Sequence, residues 1–173
     1  MEYISTRNKN LNYNFKEIFL RGLAPDGGLF IPKKIKIFNK SEIEGLSQLT
    51  YTDLAAEIIS LFCSPDIDKN NLKKLIKKSY QSFITEEVVK IKKVGDVNLV
   101  ELYHGPTLAF KDIAMQLLGN FYQYHLRRDQ KKINIIVATS GDTGAAAIDA
   151  LKGKSNLNVF VLHPNNKISP VQR

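Results

Sequence analysis

The sequence predicts an α/β protein: a mixed, mostly helical first part over residues 1–95, then the start of a parallel sheet over 96–173 in the order β-α-β-α-β. Three observations predict it. Residues 133–138, INIIVA, are a nearly continuous apolar, β-branched run, the pattern of a strand buried on both faces. A helical stretch precedes that run at 109–128, and an Ala-rich one follows Thr139-Ser140-Gly141-Asp142-Thr143-Gly144. Further apolar runs at 97–103 and 157–162 complete the alternation of strand and helix.

Along the first part, residues 22–30, GLAPDGGLF, form a turn cluster, because Pro presets one turn dihedral and the paired glycines permit positive φ. Ser41 with Glu44 three residues on has capping-box spacing and is expected to open a helix. A second helix follows, directing Leu54, Ile58, Leu61 and Phe62 toward a core and ending at Ser64-Pro65-Asp66. In a third, Leu72, Leu75, Ile76 and Tyr80 share one face, while Lys73, Lys74, Lys77 and Lys78 lie opposite and read as a solvated face. In the second part, the helix over 109–128 carries Phe110, Ala114, Leu117, Leu118 and Phe121, and the Ala-rich helix ends near Gly153. In parallel sheets ligands bind beyond the carboxyl ends of the strands, and the loops 104–111 and 139–144 both fall at that edge.

The 173 residues, 43% hydrophobic and 24% charged, have ordinary globular composition. No apolar run approaches the ~20 residues of a membrane helix, and the N-terminal MEYISTRNKN has no secretory core. A cytoplasmic protein with no membrane partner is expected. The single cysteine, Cys63, excludes an internal disulfide and lies in an apolar helical pattern, so it reads as core. The net charge of +8 suggests an acidic partner, but 20 of the 25 basic residues are dispersed lysines. Arg, which nucleic-acid recognition favours, is scarce, so no nucleic-acid partner is expected. His104, His125 and His163 are far apart and no metal-ligand spacing occurs, so no metal site is expected. No nucleophile elbow is present.

Two segments carry candidate chemistry. In residues 104–112, HGPTLAFKD, Gly and Pro shape a rigid turn, Thr107 is a candidate N-cap, and Lys111 falls in the first helical turn. The positive end of a helix dipole, with Leu108, Ala109 and Phe110 alongside, disfavours an ammonium there. A neutral amine is what covalent carbonyl chemistry requires, although an ordinary exposed lysine beside Asp112 fits the segment too. In residues 139–144 small residues let a ligand approach the backbone, and helix N-terminal amides favour an anion such as carboxylate or phosphate. Asp142 opposes a simple phosphate site and suits a hydroxyl, a protonated ring group or a cation. A plain strand-to-helix turn capped by Ser140 or Asp142 is the structural alternative.

Taken together, Ser5-Thr6-Arg7, GLAPDGGLF at 22–30, HGPTLAFKD at 104–112, ATSGDTGA at 138–145 and Ile168-Ser169-Pro170 resemble the threonine synthases, pyridoxal-phosphate enzymes of the tryptophan-synthase-β-like fold. The resemblance spans nearly the whole chain, and GLAPDGGLF separates this family from other β-replacement or elimination enzymes of the same fold. A non-catalytic remnant would have lost the lysine or the loop, and both are intact. The resemblance implies that Lys111 holds pyridoxal 5′-phosphate and moves protons on the substrate. It implies that Ser140, Gly141 and Thr143 bind the substrate α-carboxylate and that Asp142 faces the cofactor's 3′ oxygen. The substrate would be O-phosphohomoserine. Residues 1–95 would be the family's N-terminal domain and 96–173 an incomplete cofactor domain. The family's phosphate-cradling loop lies further downstream, so these residues alone are expected to bind the cofactor weakly and to have little activity.

Overall fold

In a computed structural model, which describes residues 1–139, 141–165 and 167, the chain opens with a short strand, β1 (Tyr3–Ser5), all of it buried. It pairs antiparallel with β2 (Phe30–Pro32), Tyr3 opposite Pro32 and Ser5 opposite Phe30. The pairing seats the 22–30 turn cluster against Ser5-Thr6-Arg7. Thr6 N–H donates to the Leu29 carbonyl (2.8 Å), and Leu29 N–H returns to Thr6 Oγ1 (3.0 Å). The Asp26 carboxylate accepts from Ser5 Oγ (2.8 Å) and from Gly28 N–H (2.9 Å). Gly28 tolerates no side chain, since a Cβ there would overlap Ser5 Oγ. The Gly28 amide, helped by the Ser5 hydroxyl, holds the Asp26 carboxyl below the usual carboxylate range.

Four helices fill the rest of this region. Helix α1 (Phe15–Arg21) is fixed by a reciprocal cap, Asn14 Oδ1 accepting from Glu17 N–H and Glu17 Oε2 from Asn14 N–H, both at 2.9 Å. Helix α2 (Lys40–Leu46) uses the same device with Asn39 and Glu42. The expected Ser41–Glu44 box is therefore displaced by two residues, because Asn39 adopts the extended cap conformation and Ser41 already lies inside the helix. Helix α3 (Tyr51–Cys63) buries Ala56 and Cys63 fully, while Leu54, Ile58, Leu61 and Phe62 are half-buried. Burial pushes the Cys63 thiol up to about 11. In helix α4 (Lys69–Tyr80) Leu72 and Ile76 are buried as the spacing predicts, and Lys73 on the opposite face pairs with Asp53 at 2.8 Å.

The described chain divides into two compact units, Met1–Ile76 and Lys77–Arg173. In the second, β3 (Lys90–Val94) and β4 (Val97–Glu101) form an antiparallel hairpin across Gly95-Asp96, with Gly95 at φ +59°. Then come α5 (Lys111–Asp129), β5 (Ile133–Ala138), α6 (Asp142–Leu151) and β6 (Leu157–Leu162). Strands β5 and β6 are parallel and in register from Ile133–Leu157 to Ala138–Leu162, and α6 packs on both of them and on α5. Gly119 lets the helices meet closely, because a Cβ there would press on the Ala150 carbonyl oxygen.

The α/β class and the parallel strands agree with the sequence. The strand over 97–101 does not join the parallel sheet: its partner is the adjacent 90–94, which a two-residue turn brings back at little entropic cost. Nor is β5 buried on both faces. Exposure alternates along β5 and β6, leaving Ile136, Phe160 and Leu162 at 68%, 55% and 60% on one open face. Among the described residues no helix is long and apolar enough to cross a membrane.

Candidate active site

The lysine of the HGPTLAFKD segment is held by bonds made on either side of it. Upstream, Glu101 at the end of β4 is buried and accepts from Lys92 Nζ at 2.6 Å. Its other oxygen lies 3.1 Å from Nε2 of the buried His104. Lys92 holds the Glu101 carboxyl below the usual range, and Glu101 in turn raises the Tyr103 hydroxyl. The His104 carbonyl accepts from Ile84 N–H (2.9 Å), which anchors the start of the turn. Downstream, Asp112 is fully buried and accepts from both donors of Thr107, the amide at 2.8 Å and the hydroxyl at 2.7 Å. Gly105 makes room for it, since a Cβ there would overlap the Asp112 side chain.

Thr107 therefore does not cap α5. The N-cap is Phe110, which supplies no side-chain hydrogen bond, and Asp112 reaches back from the first turn instead. Lys111 is the first helical residue, as expected; it is half-buried, with Nζ 4.8 Å from the centroid of the Phe110 ring.

The second segment leaves β5 at Ala138. Thr139 N–H donates to the Leu162 carbonyl (3.0 Å), and its Oγ1 accepts from Gly141 N–H (3.3 Å). Gly141 is the N-cap of α6 and makes no side-chain cap, while Asp142, one of the two caps of the structural alternative, is the first helical residue. Gly144 is obligatory, because a Cβ would overlap the Thr139 methyl. The first amides of a helix have no partner within it, so Asp142 and Thr143 present N–H groups beyond the strand end.

An open cavity of about 720 Å³ joins the two segments, lined by Phe110, Lys111, Val137 to Thr139 and Gly141 to Thr143. That volume is in the range of small-molecule sites, roughly 300–1,000 Å³. Lys111, Gly141, Asp142 and Thr143 thus meet at one cavity; Ser140 and Ile168-Ser169-Pro170 lie outside the described residues. Its walls combine one primary amine, the apolar Phe110, Val137 and Ala138, and the start of a helix. This donor set suits a planar aromatic aldehyde carrying an anionic substrate. Sequence reasoning overlooked Thr139, whose signal is Gly144 five residues on, and the buried Glu101, the lone acid ending an apolar strand.

The chain is similar to known proteins along nearly all of its length. Residues 2–80 match the family model for the threonine synthase N terminus. The chain is 41% identical to a threonine synthase of Schizosaccharomyces pombe over 99% of this chain and 35% of that protein. It is 40% identical to one of Pseudomonas aeruginosa over 100% and 37%. A crystal structure of PLP-bound threonine synthase from Brucella melitensis superposes with a TM-score of 0.94 at 38% identity, covering 99% of this chain and 37% of that one. The chain thus spans little more than a third of the length of these relatives. In sequence and in fold alike, it matches the N-terminal portion of the threonine synthases.

Proposed function

We propose that these residues supply the lysine and the carboxylate-binding loop of a threonine synthase, a pyridoxal-phosphate-dependent carbon–oxygen lyase acting on phosphate. The reaction, the last step of threonine biosynthesis, converts O-phospho-L-homoserine and water to L-threonine and phosphate. Phosphate leaves the γ carbon, and the oxygen of water joins the β carbon. The observation that carries this reading is the cavity gathering Lys111 with Gly141, Asp142 and Thr143. When bound, the cofactor supplies an electron sink for charge developed beside the amino group.

Each residue has a role in this reading. Lys111 Nζ holds the cofactor and then moves protons on the substrate carbons. Gly141 and Thr143, with Ser140, bind the substrate α-carboxylate through the amides and hydroxyls at the start of α6. Asp142 would face the cofactor's 3′ oxygen. Phe110, Val137 and Ala138 keep water from part of the ring. Residues 1–95 act as the N-terminal domain and 96–173 as the start of the cofactor domain. The same reading gives the protein a small-molecule substrate and a cytoplasmic location.

Because the cavity is open, the 173-residue polypeptide is expected to bind the cofactor weakly and to turn over little substrate. Incubation with pyridoxal phosphate, borohydride reduction and peptide mapping test the assignment. Label on Lys111 is expected at cofactor concentrations high enough to offset weak binding; label on another lysine, or no label even in a full-length protein, overturns it.

A further inference from the structure

We infer that Asp112, acting through Thr107, is a positioning residue that sets where the Lys111 amine points. The inference rests on Lys111 being the cofactor lysine and goes beyond it. Asp112 carries no exposed surface, and both its oxygens are satisfied by one residue, Thr107. A buried carboxylate is costly, and where only closure of a loop is needed an apolar pair serves as well or better. A buried acid side chain bonded to one residue calls for a geometric reason.

That reason is the start of α5. Its N-cap, Phe110, offers no side-chain bond, so the first turn has no ordinary signal fixing where the helix begins. The three residues just before it are weakly packed, since Leu108 and Phe110 are more than half exposed and only Ala109 among them is buried. Leu108 adopts φ +59°, a conformation that bulky residues resist. What remains is a set of polar bonds: Leu108 N–H to the Gly105 carbonyl (3.1 Å), Asp112 N–H to the Ala109 carbonyl (3.0 Å), and the two bonds from Thr107 to Asp112. Gly105 completes the unit by leaving space for the carboxylate. If the helix began one residue later, Lys111 would fall outside it and its side chain would lose the direction that the first helical turn gives it.

The test uses Thr107→Val, which keeps shape and amide but loses the hydroxyl, together with Asp112→Asn and the conservative Thr107→Ser. Thermal melts identify the temperature at which each is folded. Two readouts are taken there: the rate at which pyridoxal phosphate and borohydride trap Lys111, and trace acetylation of Lys111 relative to the exposed Lys131, which needs no cofactor. Thr107→Val and Asp112→Asn should slow trapping at Lys111 by about tenfold, as expected for a misplaced reacting group. They should also shift the acetylation ratio, with Thr107→Ser resembling the parent. Unchanged trapping and an unchanged ratio in Thr107→Val overturn the inference, even if Asp112→Asn fails to fold. If the parent is trapped at another lysine, the functional reading falls, and the acetylation ratio alone decides whether Asp112 positions Lys111.

Discussion

At Gly105 one missing carbon decides whether a buried carboxylate can reach its partner. Gly105→Ala would push against Asp112, and overpacking of this kind costs about 1–3 kcal/mol. Gly45, inside α2 with nothing near its Cβ position, is the control, and Ala there should stabilise by roughly 0.5–1 kcal/mol. Urea unfolding of the two variants should show opposite signs. Cys63 gives a second expectation. With its thiol pushed up to about 11 by burial, it stays protonated at pH 8 and should not react with a disulfide reagent until urea exposes it. A fast reaction in the folded chain would remove Cys63 from the core. The positions of Lys111 at a helix start and of 141–143 at a strand end were legible in sequence, but residue type and spacing left their roles open, and only the family resemblance pointed to chemistry there. Asp112 was not legible as a buried residue. Beside Lys111 it reads as the lysine's surface partner, and its burial depends on space that Gly105 leaves seven positions earlier.

Between elements, two carboxylates tie turns to strands, and both titrate below their ordinary values. Asp26 joins the 22–30 turn to β1 and is held below 3.8 chiefly by the Gly28 amide. Glu101 joins the β3–β4 hairpin to His104 and is held below 4.5 chiefly by Lys92. A group depressed in the folded state adds stability that is present above its ordinary value and lost as pH falls through the folded value. The urea midpoint should therefore drop as pH falls below about 4.5, first from Glu101 and then from Asp26. Glu101→Gln and Asp26→Asn should each flatten their part of that fall; a parent-like pH profile in both would separate these bonds from stability. Legibility differs among elements for physical reasons. Helix α4 and strands β5 and β6 carry long, one-sided or continuous apolar patterns and were located correctly, although β5 was expected to be buried on both faces and is open on one. Helix α1, seven residues long, is too short to show a stripe and rests on its caps. Strand β3, KIKKV, hides behind its lysines, although the Gly95-Asp96 turn beside it was a usable hairpin signal.

For the molecule as a whole, the parallel sheet has a sequence suited to cover on both faces and cover on only one. INIIVA and LNVFVL place Ile136 opposite Phe160 and Ala138 opposite Leu162 on the open side, beside an Asn158–Asn134 side-chain bond of 2.9 Å. The covered side carries the energetics, through α6 residues such as Leu151, which is 3% exposed. Leu151→Ala should cost about 2–5 kcal/mol. Ile136→Thr with Phe160→Thr should change stability by less than about 0.5 kcal/mol each, because both side chains already meet water and Thr keeps the β preference. The same pair should suppress concentration-dependent association of the 173-residue polypeptide, since an exposed apolar face next to an unpaired strand edge is a site for self-pairing. Sedimentation velocity across a concentration series, run beside urea unfolding, checks both halves. Early unfolding of the double variant would mean that the face is packed and that the described exposure is wrong. Unchanged association with intact stability would move the adhesive surface elsewhere, to the hairpin, where Ile91, Val94 and Val97 are also more than 60% exposed.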